Sequence, residues 1–302
     1  RDTDRSRGLG DVYKRQSLTS ILPPRQTEGG LSWYRGTADA IYQNLDWLEN
    51  INPEYVLILS GDHIYRCNFN EMLEIHKKNK ADVTIAALEV TLEEARRFGI
   101  LSVDENDRIT EFAEKPKNPK STLASMGIYI FNYRLLRDSL KADAKEDTDH
   151  DFGKNIIPSL LKNNKRLFIY RFEGYWKDVG TIQSLWEANM DLLKNPCPID
   201  LFDPSLKVFS EDTHSKPQYI GPNAKVTSSL VNQGATILGN VNNSVIFNDV
   251  TIEEGAEVDS SVIMPGTIIR DGTHLSNVIV SDELDIKEDH LATKEHVELI
   301  SK

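Results

Sequence analysis

Between residues 17 and 194 the apolar positions fall into alternating runs of two kinds. Residues 55–60 read YVLILS, a short run that is apolar almost throughout, followed by Gly61 and a helical pattern from Asn70. Such a run predicts a buried strand of a parallel sheet. Residues 82–90, 126–131 and 167–172 read as further strands. Residues 100–103 and 108–112 flank the turn-forming DEND and predict a hairpin. Residues 37–48 place Ala40, Ile41, Leu45 and Leu48 on one helical face, with Thr37 as N-cap. Helices are also predicted over 92–97, after 131 through Leu140, over 151–162 and over 181–193. This alternation predicts a Rossmann-like α/β domain with a mostly parallel sheet.

Past Leu193 the pattern changes. Residues 195–204 (NPCPIDLFDP) hold three prolines and no periodicity, and read as a linker. A six-residue rhythm follows. Steps of six from Ile220 meet Val226, Asn232, Leu238, Ser244, Val250, Ala256, Val262, Ile268, His274 and Val280, and eight of these eleven are apolar. Gly, Asn, Asp, Ser and Thr crowd the positions between. An inward aliphatic every sixth residue with polar corners predicts a β-solenoid over 205–302. In this register His274 points inward.

Residues 1–16 break the pattern in the other direction, with five basic and three acidic residues and no periodicity. They read as an extraneous leader. The net charge of −12 argues against general nucleic-acid binding but not against a phosphorylated substrate held by a few local cations. No run is apolar and long enough to span a bilayer. The two cysteines, Cys67 and Cys197, are 130 positions apart with no CxxC spacing, which suits a reducing, cytoplasmic setting and no zinc site.

Four positions carry candidate chemistry. Asp62 follows the apolar strand at its carboxyl end, where open α/β sheets bind ligands, and a carboxylate there can hold Mg²⁺. Asp178, 116 positions later, sits in YWKDVGT, where Gly180 and Thr181 open a helix, and it can share that ion if both loops lie at one sheet edge. Each alone also suits a turn or helix cap. Lys115, in AEKP, is held by the following proline and offers a cation to phosphate. Trp33–Thr37 precede a helix whose free N–H groups suit an anion.

Taken in order, WYRGTADA from Trp33, YVLILSGDHIY from Tyr55, FAEKP from Phe112, LASMGIY from Leu123, HDFGKNIIP from His150 and YWKDVGT from Tyr175 resemble the bacterial glucose-1-phosphate adenylyltransferase family. The resemblance implies a nucleotidyltransferase α/β domain, partial and covering 17–194, followed by an all-β left-handed parallel β-helix of hexapeptide repeats. It implies transfer of adenylyl from ATP to glucose 1-phosphate, giving ADP-glucose and pyrophosphate for glycogen synthesis. Asp62 and Asp178 would hold Mg²⁺. Glu114 and Lys115 would bind the sugar phosphate, Lys115 at its phosphate, with Tyr34, Gly99 and Ser125 completing the site and Trp176 lining the sugar pocket.

The family's Gly-rich GGxGxRL loop has no counterpart here. Arg7–Gly8–Leu9–Gly10 is the one candidate, and it lacks a preceding strand. The chain thus resembles an N-terminally truncated member that should bind ATP poorly and turn over little. A non-catalytic regulatory subunit and a pyrophosphorylase for another nucleotide are the alternatives, with a solenoid acyltransferase as a third. The solenoid is expected to serve assembly and regulation, in a homotetramer or in a heterotetramer with a paralogous subunit, as the family implies.

Overall fold

The computed structural model describes residues 21–302 apart from 24–25, 28–29, 32, 202, 207 and 209–212. The leader read over 1–16, with Arg7–Gly10, lies outside the described residues. The chain forms two compact units, one of Arg1–Ser60 with Cys67–Glu173 and the other of Gly61–Arg66 with Gly174–Lys302.

The first unit is built on a six-stranded sheet. Its strands are β1 (Tyr55–Ile58), then β3 (Val83–Glu89), β4 (Gly99–Val103), β5 (Ile109–Glu114), β6 (Leu123–Asn132) and β7 (Leu167–Arg171), with β2 (His63–Tyr65) assigned to the second unit. The sheet is mixed, not mostly parallel. β6 runs antiparallel to β1, β3 and β4, β4 and β5 form the expected hairpin, and β3 with β7 is the parallel pair. Continuous apolar runs show that a strand is buried on both faces but carry no information on its direction, so the pattern could not separate the two cases. Burial follows the apolar runs except over 55–60, where the strand expected to be buried is not: it pairs only with β6 among the described strands, and Leu57 is 39% and Leu59 46% exposed. Val83, Ile85, Leu101, Phe131 and Leu167 are fully enclosed, with Leu136, Leu140, Ile157 and Phe152 of the helical segments packed over them.

Two helical expectations shift locally. The helix read over 37–48 is split at Gln43 and Asn44 into α1 (Thr37–Tyr42) and α2 (Leu45–Ile51), and its N-cap is Gly36. Thr37 is not the cap because its hydroxyl donates to Asp151 Oδ2 at 2.9 Å. The segment 151–162 starts as a wide turn, Phe152–Ile156, capped by Asp151, before α5 (Ile157–Lys162). α3 (Phe69–Lys78), capped by Asn68, and α4 (Tyr133–Asp143) lie earlier in the chain.

The second unit contains a parallel β-solenoid of three five-stranded sheets. Its inward column reads Ile237, Ile252, Ile269 and Ile286 on one side, Val241, Val258 and Leu275 on the next, and Ile246, Ile263 and Val280 on the third. Over the two middle coils, from Val241 to Leu275, Ile246 to Val280 and Ile252 to Ile286, equivalent residues pair 17 positions apart, as in Ile252↔Ile269 and Val258↔Leu275, whereas the pairs just before these are 15 apart and those after them 15 and 20. A coil of 17 holds one five-residue side, so a strict step of six slips by one residue per coil. Val250, Ala256, Val262 and Val280 stay buried in spite of the slip. His274 does not. It faces outward with 45% of its side chain exposed, between Glu257 and Asp289, while its neighbour Leu275 fills the core. His290 also lies on a solenoid strand.

Also in the second unit, β2 pairs antiparallel with β8 (Trp176–Asp178), and α6 (Ile182–Asp191) follows. Thr181 caps α6 in a reciprocal box with Ser184. Leu185, Trp186, Met190 and Leu193 pack on Val245, Val262 and Ile279 of the solenoid, and Trp186 Nε1 donates to the Ser260 carbonyl at 2.7 Å. The proline-rich stretch falls inside this unit as far as it is described, where Arg66 donates to the carbonyls of Asp200, Asp203 and Leu206.

The 17-residue register is open to direct test. Ile252→Ala removes a fully buried inward side chain and should cost about 2–5 kcal/mol. Thr251→Ala, on the same strand but facing out, should cost about 0.5 kcal/mol or less. Denaturant unfolding of both variants compares them, and equal losses would contradict the register.

Candidate functional site

Two groups of polar residues stand out, one in each unit. The first centres on Glu114, the last residue of β5. Glu114 pairs with Gly99 on β4, and a Cβ added to Gly99 would come within 2.9 Å of Glu114 Oε2. A Cβ on Gly153 would come within 2.5 Å of the same oxygen. Two glycines thus line the slot for this carboxylate, and a side chain at either would force the Glu114 carboxylate to shift, with the Phe112 ring also in the way at Gly99. Burial raises the Glu114 pKa, Asp151 adds to the rise, and Lys115 and Lys154 oppose it.

Asp151 ties this slot to the WYRGT segment. It accepts from the Lys154 N–H at 3.0 Å with one oxygen and from the Thr37 hydroxyl at 2.9 Å with the other. The His150 carbonyl accepts from the N–H groups of Ala38 and Asp39, and Gly36 lies so close to the 149–150 backbone that a side chain there would collide. Behind these residues, Tyr129 stacks on Phe152 at 5.5 Å. Burial pushes the Tyr129 phenol well above its ordinary pKa, against a hydrogen bond with Ser125 that lowers it.

Lys115 follows with a left-handed backbone, φ 45°, and its N–H donates to the Phe98 carbonyl at 3.1 Å. That conformation is costly for a lysine, and such outliers cluster at functional sites. The Lys115 side chain is exposed. Of the residues nominated from the sequence, Gly99, Glu114 and Ser125 gather here with Lys115 adjoining. Tyr34 is fixed at the start of α1, its hydroxyl donating to the Leu22 carbonyl at 2.8 Å and accepting from Asn44, so that it is engaged there rather than with Glu114.

The second group sits at one end of the β2–β8 ribbon. His63 is the partner of Asp178, and the Val179 N–H donates to the Asp62 carbonyl at 3.1 Å, which extends the ladder by one step. Asp62, His63 and Asp178 therefore present ligand atoms that all lie within 4.8 Å of one another. Gly180 completes the cradle. Its N–H donates to Asp178 Oδ1 at 2.9 Å, and a Cβ there would sit 3.1 Å from that oxygen and 3.5 Å from Asp62 Oδ2. Two carboxylates facing one glycine-walled space suit a hard divalent cation with oxygen ligands. His63 Nε2 is 3.6 Å from Asp62 Oδ1, and its ring packs edge-on to Trp176 at 5.2 Å. The structure thus places Trp176 beside His63 in the second unit.

Sequence reasoning nominated no residue from HDFGKN, nor Tyr129 or His63, as site members, and it read Thr37 as a helix N-cap within an anion-binding segment rather than as a partner of Asp151. The signal available for Asp151 was its cap spacing to Lys154, with Gly153 between. His63 is adjacent to Asp62 and has no pattern of its own.

Both groups fall within one family match. The nucleotidyl transferase family model matches residues 6–195, and the model for a GlmU-like C-terminal hexapeptide region matches 215–296. A glucose-1-phosphate adenylyltransferase of Clostridium acetobutylicum is 56% identical over 249 residues, covering 81% of this chain and 66% of the relative. Those of Bacillus cereus and Bacillus anthracis are each 47% identical over 285 residues, covering 93% of this chain and 76% of theirs. The matched part of this chain thus spans from 66% to 76% of the length of these relatives.

The state of Glu114 makes a pH-dependent prediction. Its folded pKa lies above the ordinary 4.5, so the folded chain holds this proton more tightly than the unfolded one. Ionisation then weakens the fold as pH rises through the folded value. Glu114→Gln should raise the thermal midpoint at pH 7, and the gain should vanish below pH 4.5. A gain of the same size at every pH would contradict the argument.

Proposed function

Since the chain belongs to the glucose-1-phosphate adenylyltransferases, within the nucleotidyl transferase family, we propose that Glu114 and Lys115 hold glucose 1-phosphate and that Asp62 and Asp178 hold the catalytic metal ion. The family reaction transfers adenylyl from ATP to α-D-glucose 1-phosphate and yields ADP-glucose and pyrophosphate for glycogen synthesis. The protein is accordingly an enzyme of the nucleotidyltransferase class. A divalent ion fits the class, and the oxygen donors of Asp62 and Asp178 make Mg²⁺ our choice. A cytoplasmic tetramer, homomeric or with a paralogous subunit, belongs to the same reading.

The observation that carries the proposal is the convergence of Asp62 and Asp178 on one glycine-walled space. Bound there, the metal supplies charge neutralisation for phosphate oxygens. The nucleophile is a sugar-phosphate oxygen, already an anion, so the residues need not remove a proton. Their task is to position two anions against their repulsion. Lys115 offsets the charge of the sugar phosphate. Glu114, fixed between Gly99 and Gly153, accepts from sugar hydroxyls and so orients the ring. Ser125 and Tyr129 back the slot through their shared hydrogen bond. Trp176 packs edge-on against His63 in the second unit, beside the metal group. Tyr34 contributes through the WYRGT segment that Asp151 binds.

A lost charge-assisted hydrogen bond costs roughly 1.5–3 kcal/mol, or about 10- to 150-fold in affinity. Lys115→Ala should weaken glucose 1-phosphate binding by that factor and leave Mn²⁺ affinity nearly unchanged, as measured by calorimetry on the 302-residue chain. An equal loss for both ligands would contradict the assignment.

A further inference from the structure

A two-stranded ribbon is marginally stable by itself. Among the described residues, β2 and β8 form such a ribbon, and it carries both carboxylates of the metal group. Something outside the ribbon must hold it. Side chains alternate along a strand, so Trp176 and Asp178 share one face of β8 and Lys177 takes the other. Lys177 Nζ reaches Glu187 Oε2 at 2.7 Å and Asp191 Oδ2 at 3.6 Å, both on α6. Tyr175, one residue before the strand, donates its hydroxyl to Asp191 Oδ2 at 2.8 Å. Lys194 closes on the other Asp191 oxygen at 2.6 Å.

This network differs from an ordinary surface ion pair. The Lys177 side chain is 24% exposed and that of Asp191 only 12%, so both charges are largely withdrawn from water and screening is weak. The far side is rigid as well. α6 is capped at Thr181 and seated on the solenoid through Leu185, Trp186 and Met190. The contacts therefore run from the solenoid wall through α6 to Lys177, and from there along one peptide to Asp178.

We propose that Lys177, with Tyr175, is a positioning residue that clamps β8 to α6 and so holds Asp178 where it meets the same cation as Asp62. The inference rests on the assignment of Asp62 and Asp178 to a metal ion. It makes a prediction opposite in sign to plain electrostatics. Removing a nearby ammonium takes away repulsion and by charge alone would tighten cation binding. Removing a clamp lets Asp178 wander and loosens binding. Loss of outer supports around metal ligands typically costs 10–100-fold in affinity.

The test is a Mn²⁺ titration followed by electron paramagnetic resonance on the full chain, with thermal unfolding of each variant in parallel. Lys177→Met should weaken Mn²⁺ binding by about ten-fold, the lower end of that range. Lys177→Arg, which keeps a cation able to reach both carboxylates, should restore most of the affinity. Tyr175→Phe changes no charge and should weaken binding in the same direction. A Lys177→Met chain that binds Mn²⁺ as tightly as the parent, or more tightly, would overturn the clamp. If Lys177→Met does not fold, parent-like affinity in Tyr175→Phe would overturn it instead. Asp178→Asn serves as the separate control. If it retains parent affinity, the metal assignment falls and the clamp with it. If it loses affinity while Lys177→Met does not, only the clamp falls.

Discussion

The pairing of His63 with Asp178 across a three-residue ladder is the constraint on which the metal group depends. It brings the carboxylates of Asp62 and Asp178 within 4.8 Å although 116 positions separate them in the chain. Two like charges about 4 Å apart repel by about 1 kcal/mol in bulk water and about 4 kcal/mol near a protein surface. Gly180 keeps the space between them open, since a Cβ there would sit 3.1 Å from one carboxylate and 3.5 Å from the other. A fold that maintains this repulsion gains from a cation, and the glycine leaves room for one. Mg²⁺ usually keeps several waters and takes one or two carboxylates together with phosphate oxygens. A pair of aspartates at the end of a ribbon matches that requirement better than a closed protein cage would.

The first unit follows a similar logic with a single carboxylate. Gly99 and Gly153 enclose Glu114, and burial raises its pKa, so the group is held in place at some expense to stability. Asp151 links that slot to Thr37 and, through the His150 carbonyl, to the first turn of α1. Lys115 then leaves the strand in a left-handed conformation that the following proline and the Phe98 carbonyl help to fix. Three departures from ordinary local preference lie in or beside this site. Thr37 gives up its cap role, the 152–156 turn is wide, and a lysine adopts positive φ. Strain of this kind is characteristic of sites under functional demand.

Much of this was legible in the sequence because the signals were local. A continuous apolar run ending at Ser60 marked the position of Asp62, and the GT step after Asp178 marked the start of α6, where Thr181 does form a capping box. The change to repeats after the proline-rich stretch marked the solenoid. What was hidden depends on contacts distant in the chain. Strand direction in the mixed sheet has no signature in burial, since β6 is as apolar between antiparallel neighbours as it would be between parallel ones. The hexapeptide repeats were legible, but the register of His274 was misread for a numerical reason. Sides of six, five and six residues make a coil of 17, and a six-residue step sampled from Ile220 drifts until His274 stands where Leu275 belongs. Asp151 and Thr37 were hidden because each has an adequate local explanation as a cap, and only the folded chain shows that they bond to one another.

The central claim is that Asp62 and Asp178 serve one ion, and a double-mutant cycle on metal affinity tests it most directly. Mn²⁺ affinity would be measured for the parent chain, Asp62→Asn, Asp178→Asn and the double variant. If both carboxylates hold one cation, each single substitution removes most of the affinity and the double variant is little worse than either, a clear departure from additivity. Free-energy losses that simply add in the double variant, or an affinity unchanged by either substitution, would contradict the account.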